Sequence, residues 1–279
     1  MTTAGSSRAC VPTYRSLPEL AVLEPQEHAH ELADWIERIP AASPSSQRQA
    51  WGNAYSWLRL TSGIRSVSFN MAYDDGEMCA GGDFDLVWSE MMTEWQLHQI
   101  RLGYAAAAVE TLVRALQLPA SEVESAVEGA EADLEVLGGT HFPHAGSVAH
   151  HLLQHHRHTS TGPSLSAGVG AAMDLRDRAA RGELHIPQPE EHEMRVLPTG
   201  RDLVCASREA TSSLLIGGQV LLAWAVEKEV IQAPNEHKYL IEGMWIQDSM
   251  GKAVWVDDEL SYEDYLAFLH LEHGEPPVS

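Results

Sequence analysis

The sequence has few basic residues and no long apolar run. Its 18 lysines and arginines stand against 40 aspartates and glutamates, which leaves a formal charge of −22 at pH 7. Such a charge repels phosphate, and no run of basic residues is longer than two, so a nucleic-acid partner is disfavoured. No apolar run reaches the roughly 18 to 20 residues that a membrane span requires. The sequence therefore predicts neither nucleic acid nor a membrane as a partner.

Cysteines are also scarce, and the familiar glycine-rich motifs are missing. Cys10, Cys79 and Cys205 lie far apart without a CxxC pair, which argues against a disulfide framework and against a thiolate zinc site. The N-terminal residues lack the apolar region of a secretory signal, so a cytoplasmic protein is expected. The absence of GxSxG, P-loop and GxGxxG motifs disfavours serine hydrolases, NTPases and dinucleotide enzymes.

Apolar residues recur at steps of three and four through most of the chain. The clearest stripe runs from residue 84 to residue 116 and predicts one long helix with a single buried face. The pattern changes near the C-terminus, where residues 239–246 and 252–256 flank a QDSMG turn and predict a β-hairpin. We therefore expect a mainly α protein, a helical bundle with a small C-terminal β-hairpin.

The same patterns divide the chain into three parts. Residues 1–23 carry Ser, Pro and Thr without periodicity and predict a flexible N-terminal arm. Residues 24–236 form the helical domain. Residues 237–279 are predicted to add the hairpin and a short helix to the same core.

Histidines are strongly clustered. Seven of the fifteen fall between residues 141 and 158. If this segment is helical, His151, His155 and His158 share one face, and two imidazoles one turn apart can bind a transition metal or haem iron. The cluster predicts a metal site at these three residues, with haem, or otherwise iron or zinc, as the cofactor. No HExxH pattern accompanies it, and a polar helix with incidental histidines remains the alternative.

Two carboxylate-rich segments could also hold a metal. Glu90, Glu94 and His98 stand four residues apart on the predicted long helix, but dinuclear carboxylate bundles use ExxH twice and this chain offers ExxxH once. We therefore interpret His98 as a core histidine that a neighbour satisfies. The acidic segment AYDDGEMC, residues 72–79, could hold magnesium, but an ordinary Asp-Gly turn is favoured because no second metal motif follows.

The segments DFDLVWSEMMTEW and TGPSLSAGVGAAMDLR, with a histidine-bearing helix between them, resemble the haem-dependent aromatic oxygenases of the tryptophan 2,3-dioxygenase type. The resemblance covers a minor part of the chain. It implies that Glu94 and Trp95 line a catalytic pocket and that one of three histidines binds haem iron. It also implies a substrate loop beginning at Thr161 and Gly162. The candidate axial ligands are His150, His151 and His155.

A second resemblance lies in LRDRAARG, residues 175–182, which looks like the end of the HEPN helical domains. Arg181 stands where that family has its catalytic histidine, so this resemblance implies a non-catalytic helical interaction protein. The main prediction is a histidine-ligated haem or non-haem metal oxidoreductase that acts on a small aromatic substrate. A homo-oligomer is compatible with either of these two predictions.

Overall fold

The protein is mainly α, as the apolar periodicity predicts. The structure is a computed structural model that describes residues 23–39, 45–68, 82–118, 122–138, 164–184, 186, 200–234, 237–239, 244–247, 253–256, 259–261, 265–266 and 269–270. Within these ranges lie six helices: α1 (Pro25–Glu37), α2 (Ser45–Gly63), α3 (Gly82–Ala115), α4 (Val123–Gly138), α5 (Leu165–Ala180) and α6 (Gly200–Glu227).

Local sequence signals explain where two of these helices begin. Pro25 occupies the first turn of α1, where its fixed φ suits a helix and its missing N–H has no helical partner to lose. Ser164 caps α5, because its Oγ accepts a hydrogen bond from the backbone N–H of Ala167 at 3.1 Å.

Helices α3 and α6 pack side by side and run parallel. Trp95 shares a small apolar cluster with Val204. The Gln99 amide on α3 donates to the Ser207 hydroxyl on α6 at 2.6 Å. Because residue numbers rise together along the two helices, the N-terminal half of one lies beside the N-terminal half of the other.

The core forms where α3 and α6 meet the other helices. Its largest fully buried side chains come mainly from α1, α3 and α6, which agrees with the predicted stripe along α3; they include Trp35, Leu32, Leu102, Leu214, Leu215, Leu221 and Leu222. An apolar cavity of about 10 Å³ lies among α1, α2, α3 and α6, with Gly218 in its wall. This volume barely suffices for one water, and its apolar lining would offer that water no partners.

Four short strands are described near the C-terminus. Strand β1 (His237–Tyr239) pairs antiparallel with β4 (Glu259–Ser261), and β2 (Met244–Gln247) pairs antiparallel with β3 (Ala253–Val256). The side chains of these strands lie outside the described part of the chain. That a β-hairpin is appended to the helical core therefore stays a prediction. The N-terminal arm and the domain limits are likewise still predictions.

Two features of α6 qualify the sequence analysis. Residues Asp202–Glu227 are long and apolar enough to span a membrane by length and composition, and 67% of their most apolar window is buried inside the fold. A core helix of a folded domain meets the same criterion. Cys205 is disulfide-bonded, which the wide cysteine spacing did not predict. Folding can bring cysteines remote in sequence to the Cα separation of about 6 Å that a disulfide needs.

Candidate functional site

A polar cluster lies where α1, α3 and α6 meet, and its members on α3 are buried. Arg101 on α3 is only 7% exposed, and its Nη2 donates to the Gln26 side-chain oxygen at 2.6 Å and to the Ile64 carbonyl at 2.9 Å. Arg208 on α6 forms an ion pair with Glu24, the residue that precedes α1. We call Glu24, Trp95, His98, Arg101 and Arg208 the Arg101 site.

Positive charge dominates the Arg101 site. Burial, together with the nearby charges of Arg101 and Arg208, lowers the pKa of His98 from 6.5 to about 4, so the imidazole is neutral at pH 7. Burial also lowers the pKa of Arg101; Glu24 opposes this shift and Arg208 adds to it. A guanidinium stays protonated in proteins. The site therefore places two cations against one carboxylate, in a chain that is otherwise strongly acidic.

Three buried polar atoms of this site have no hydrogen-bond partner in the described part of the chain. They are Trp95 Nε1, His98 Nδ1 and Arg101 Nε, spaced three residues apart along α3. All three side chains are less than 9% exposed. An indole or guanidinium N–H can only donate, and a buried donor without a partner costs about 1–3 kcal/mol. The site is therefore rich in donors that an acceptor-bearing molecule would satisfy.

An apolar cluster continues the site toward the N-terminal ends of α3 and α6. Met92, Trp95 and Val204 form its buried part, and three half-buried residues, Trp88, Leu184 and Leu203, pack against it. Trp95 belongs to both regions, because its ring lies in the apolar cluster while its Nε1 lacks a partner. In the C-terminal direction along α3, the apolar cluster is thus followed by His98 and then by Arg101. Arg208 of α6 lies near Arg101.

The structure separates the predicted carboxylate and histidine ligands on α3. Glu90 and Glu94 are exposed, whereas His98 is buried. These three side chains therefore do not share one environment. The core position of His98 is confirmed, whereas within the described ranges its Nδ1 lacks the neighbour that was expected to satisfy it. No group of three His, Cys, Asp or Glu side chains that could hold a metal occurs among the residues the structure describes.

The residues assigned by the oxygenase resemblance are only partly described. Trp95 is buried and Glu94 is exposed, so the proposed pocket pair is not buried together. The other residues that the resemblance assigns lie outside the described ranges, namely His150, His151, His155, Thr161 and Gly162. His158 of the predicted metal site lies outside them as well. The haem, the metal ligands and the substrate loop remain predictions.

Sequence reasoning singled out Trp95 and His98 but missed the two arginines and Glu24. The only signal for Arg101 is that it stands directly before Leu102 of the buried stripe, and long cationic side chains commonly flank such stripes without being buried. Arg208 and Glu24 gave no signal, because their pairing joins residues remote in sequence.

The arginines of the LRDRAARG segment are paired in the structure. Arg176 Nη1 donates to Glu110 Oε1 at 2.5 Å and its Nη2 lies 2.6 Å from Asp177 Oδ1. Arg181, at the end of α5, is paired with Glu183 at 2.6 Å. Arg176 thus links α5 to α3, which is a structural role that a helical bundle requires whatever its function.

A second buried polar network contains His28, Gln219 and His270. Gln219 accepts from His28 Nε2 at 2.9 Å and donates to the Leu266 carbonyl at 2.5 Å and to His270 Nδ1 at 3.3 Å. Burial lowers the pKa of His28 to about 4, although the Gln219 hydrogen bond and the Glu31 charge raise it. The network joins the C-terminal residues to α1 and α6, and each Gln219 side-chain group has a partner.

No family model matches the chain, and no curated protein or solved structure matches it either. The side chains of the described residues are therefore the basis for a functional proposal.

Proposed function

We propose that the protein binds a small organic molecule with hydrogen-bond acceptors in the Arg101 site. The observation that supports this proposal is the row of three unpartnered, buried polar atoms at Trp95, His98 and Arg101. Buried polar groups are normally satisfied, and exceptions call for an explanation such as a ligand or an ordered water. Three along one helix face, beside a second arginine, favour a ligand.

The test is a thermal-shift screen of small carboxylates, amides and alcohols. A ligand at one hundred times its Kd stabilises the folded state by about 2.7 kcal/mol. We expect hits whose stabilisation is lost in Arg101→Gln and kept in Arg114→Gln. Arg114 is a matched control because it lies on the same helix with its side chain 70% exposed.

A second pair of variants isolates the indole donor. Trp95→Phe removes Nε1 from the Arg101 site and keeps an aromatic ring. Trp51→Phe makes the same change on α2, where Nε1 is also buried and unpartnered. Ligands that contact the indole N–H should bind more weakly to Trp95→Phe alone. Equal effects of the two substitutions, together with hits that ignore Arg101→Gln, would contradict the proposal.

Haem or metal chemistry is a second candidate, favoured by the seven histidines between residues 141 and 158. In this reading the protein is an oxidoreductase for a small aromatic molecule, and one imidazole ligates the iron. The absorption spectrum and metal content of protein expressed with haem precursor and trace metals test it. Loading should be lost in His155→Ala, or in another single variant of this cluster, without loss of helicity. Loading retained in every such variant would refute it.

We also propose a cytoplasmic location, which the sequence predicts. The disulfide of Cys205 is evidence against this proposal, because disulfides are rare in reducing compartments.

A further inference from the structure

The charge of the Arg101 site restricts what it can bind. Every unpartnered atom there is a hydrogen-bond donor or, at His98 Nδ1, a nitrogen that can act as one. Arg208 lies close enough for its charge to lower the pKa of Arg101, and Glu24 is the carboxylate that opposes this shift and pairs with Arg208. An anionic ligand would reduce the repulsion between the guanidinium groups and satisfy the free Arg101 Nε.

The balance of two cations against one carboxylate favours a ligand with a single negative charge. A carboxylic acid, with a pKa near 4, is a monoanion at pH 7. A phosphate monoester is close to a dianion at this pH, because its second pKa is about 6. A dianion would leave excess negative charge beside the buried Arg101, in a chain whose formal charge is already −22.

The apolar cluster beside the two arginines indicates the rest of the ligand. Trp95 lies about 9 Å from Arg101 along the helix axis, at 1.5 Å per residue. Met92, Trp95 and Val204 form a buried apolar cluster at that end, with Trp88, Leu184 and Leu203 packed against it. The parallel packing of α3 and α6 aligns this apolar end with the cationic end, so a ligand with one charged group and one short apolar body would match both.

We infer that the Arg101 site binds a small monocarboxylate with an apolar tail. This inference rests on the proposed function and specifies its ligand class. The carboxylate lies against Arg101 Nε and the Arg208 guanidinium. The tail packs against Met92, Trp95 and Val204 on the apolar side.

Isothermal titration with four probes tests the ligand class on the wild-type protein. Hexanoate carries both features; hexanamide lacks the charge, acetate lacks the tail, and hexyl phosphate has a second charge. We expect the Kd for hexanoate to be at least tenfold lower than for each of the other three. Equal affinity for hexanamide, tighter binding of hexyl phosphate, or no binding of hexanoate would overturn the inference.

Variants then locate the binding. Arg101→Gln should abolish the preference for hexanoate over hexanamide, and Arg114→Gln should leave it unchanged. The probe series on the wild type decides the ligand class even if Arg101→Gln does not fold. If hexanoate fails but the thermal-shift screen yields ligands that depend on Arg101, the carboxylate class is wrong and the proposed function stands. If hexanoate binds equally well to a folded Arg101→Gln, the assignment to this site fails as well.

Discussion

Gly217 and Gly218 are neighbours on α6, and alanine is expected to stabilise the protein at Gly218 but not at Gly217. Both substitutions gain about 1 kcal/mol of helix propensity, since glycine in a helix interior is that much less favourable than alanine. Any difference between them must therefore come from packing. The two variants therefore compare the packing around two neighbouring positions of one helix, because the substitution itself is the same.

At Gly218 an added Cβ has room. It would lie 3.4 Å from Val109 Cγ2 and 3.7 Å from Leu112 Cδ2, which are ordinary contact distances, and it would face the small apolar cavity in the core. Burying one methyl group contributes about 0.8 kcal/mol. Gly218→Ala should thus stabilise the protein by about 1–2 kcal/mol.

At Gly217 the added Cβ meets the side chain of a neighbouring helix. It would lie 2.8 Å from Val169 Cγ2 on α5, so either the Val169 side chain or one of the two helices must shift. Overpacking of this kind costs about 1–3 kcal/mol, which offsets or exceeds the gain in propensity. Gly217→Ala should therefore be neutral or destabilising by up to about 2 kcal/mol.

Urea unfolding followed by far-UV circular dichroism measures both free energies. The double variant Gly217→Ala with Val169→Ala removes the contacting methyl groups, so its loss should be smaller than the sum of the two single losses. Equal stabilisation by Gly217→Ala and Gly218→Ala would refute the close packing of α5 against α6 on which the reasoning depends.

Two further predictions concern acid stability and thiols. His28 and His98 have pKa values of about 4 when folded and 6.5 when unfolded, so the unfolded chain binds more protons between these limits. Stability should be complete above pH 6.5 and fall by up to about 3 kcal/mol per histidine toward pH 4. Unfolding free energies measured across this range should show a shallower fall in His98→Gln, and an identical slope would contradict the assignment. For the disulfide of Cys205, thiol titration of the unreduced, denatured monomer should find one free thiol among the three cysteines; three free thiols would contradict it.

Much of the helical framework could be predicted because helix signals are local. Pro25, the Ser164 cap and the stripe through Leu102, Val109 and Leu112 act within a few residues of each other. The candidate site could be predicted only in part. Trp95 and His98 stand out as aromatic and ionisable residues within an apolar stripe, whereas Arg101 looks like the many arginines that border a buried face.

Sequence alone determined that the chain is mainly helical and that apolar stripes form the buried helix faces, since the period of 3.6 residues is a property of the local chain. Tertiary structure decided how those faces meet. The parallel packing of α3 and α6 brings Arg208 beside Arg101, and the start of α1 brings Glu24 to both. These outcomes depend on contacts between remote residues, and helical periodicity carries no information about them.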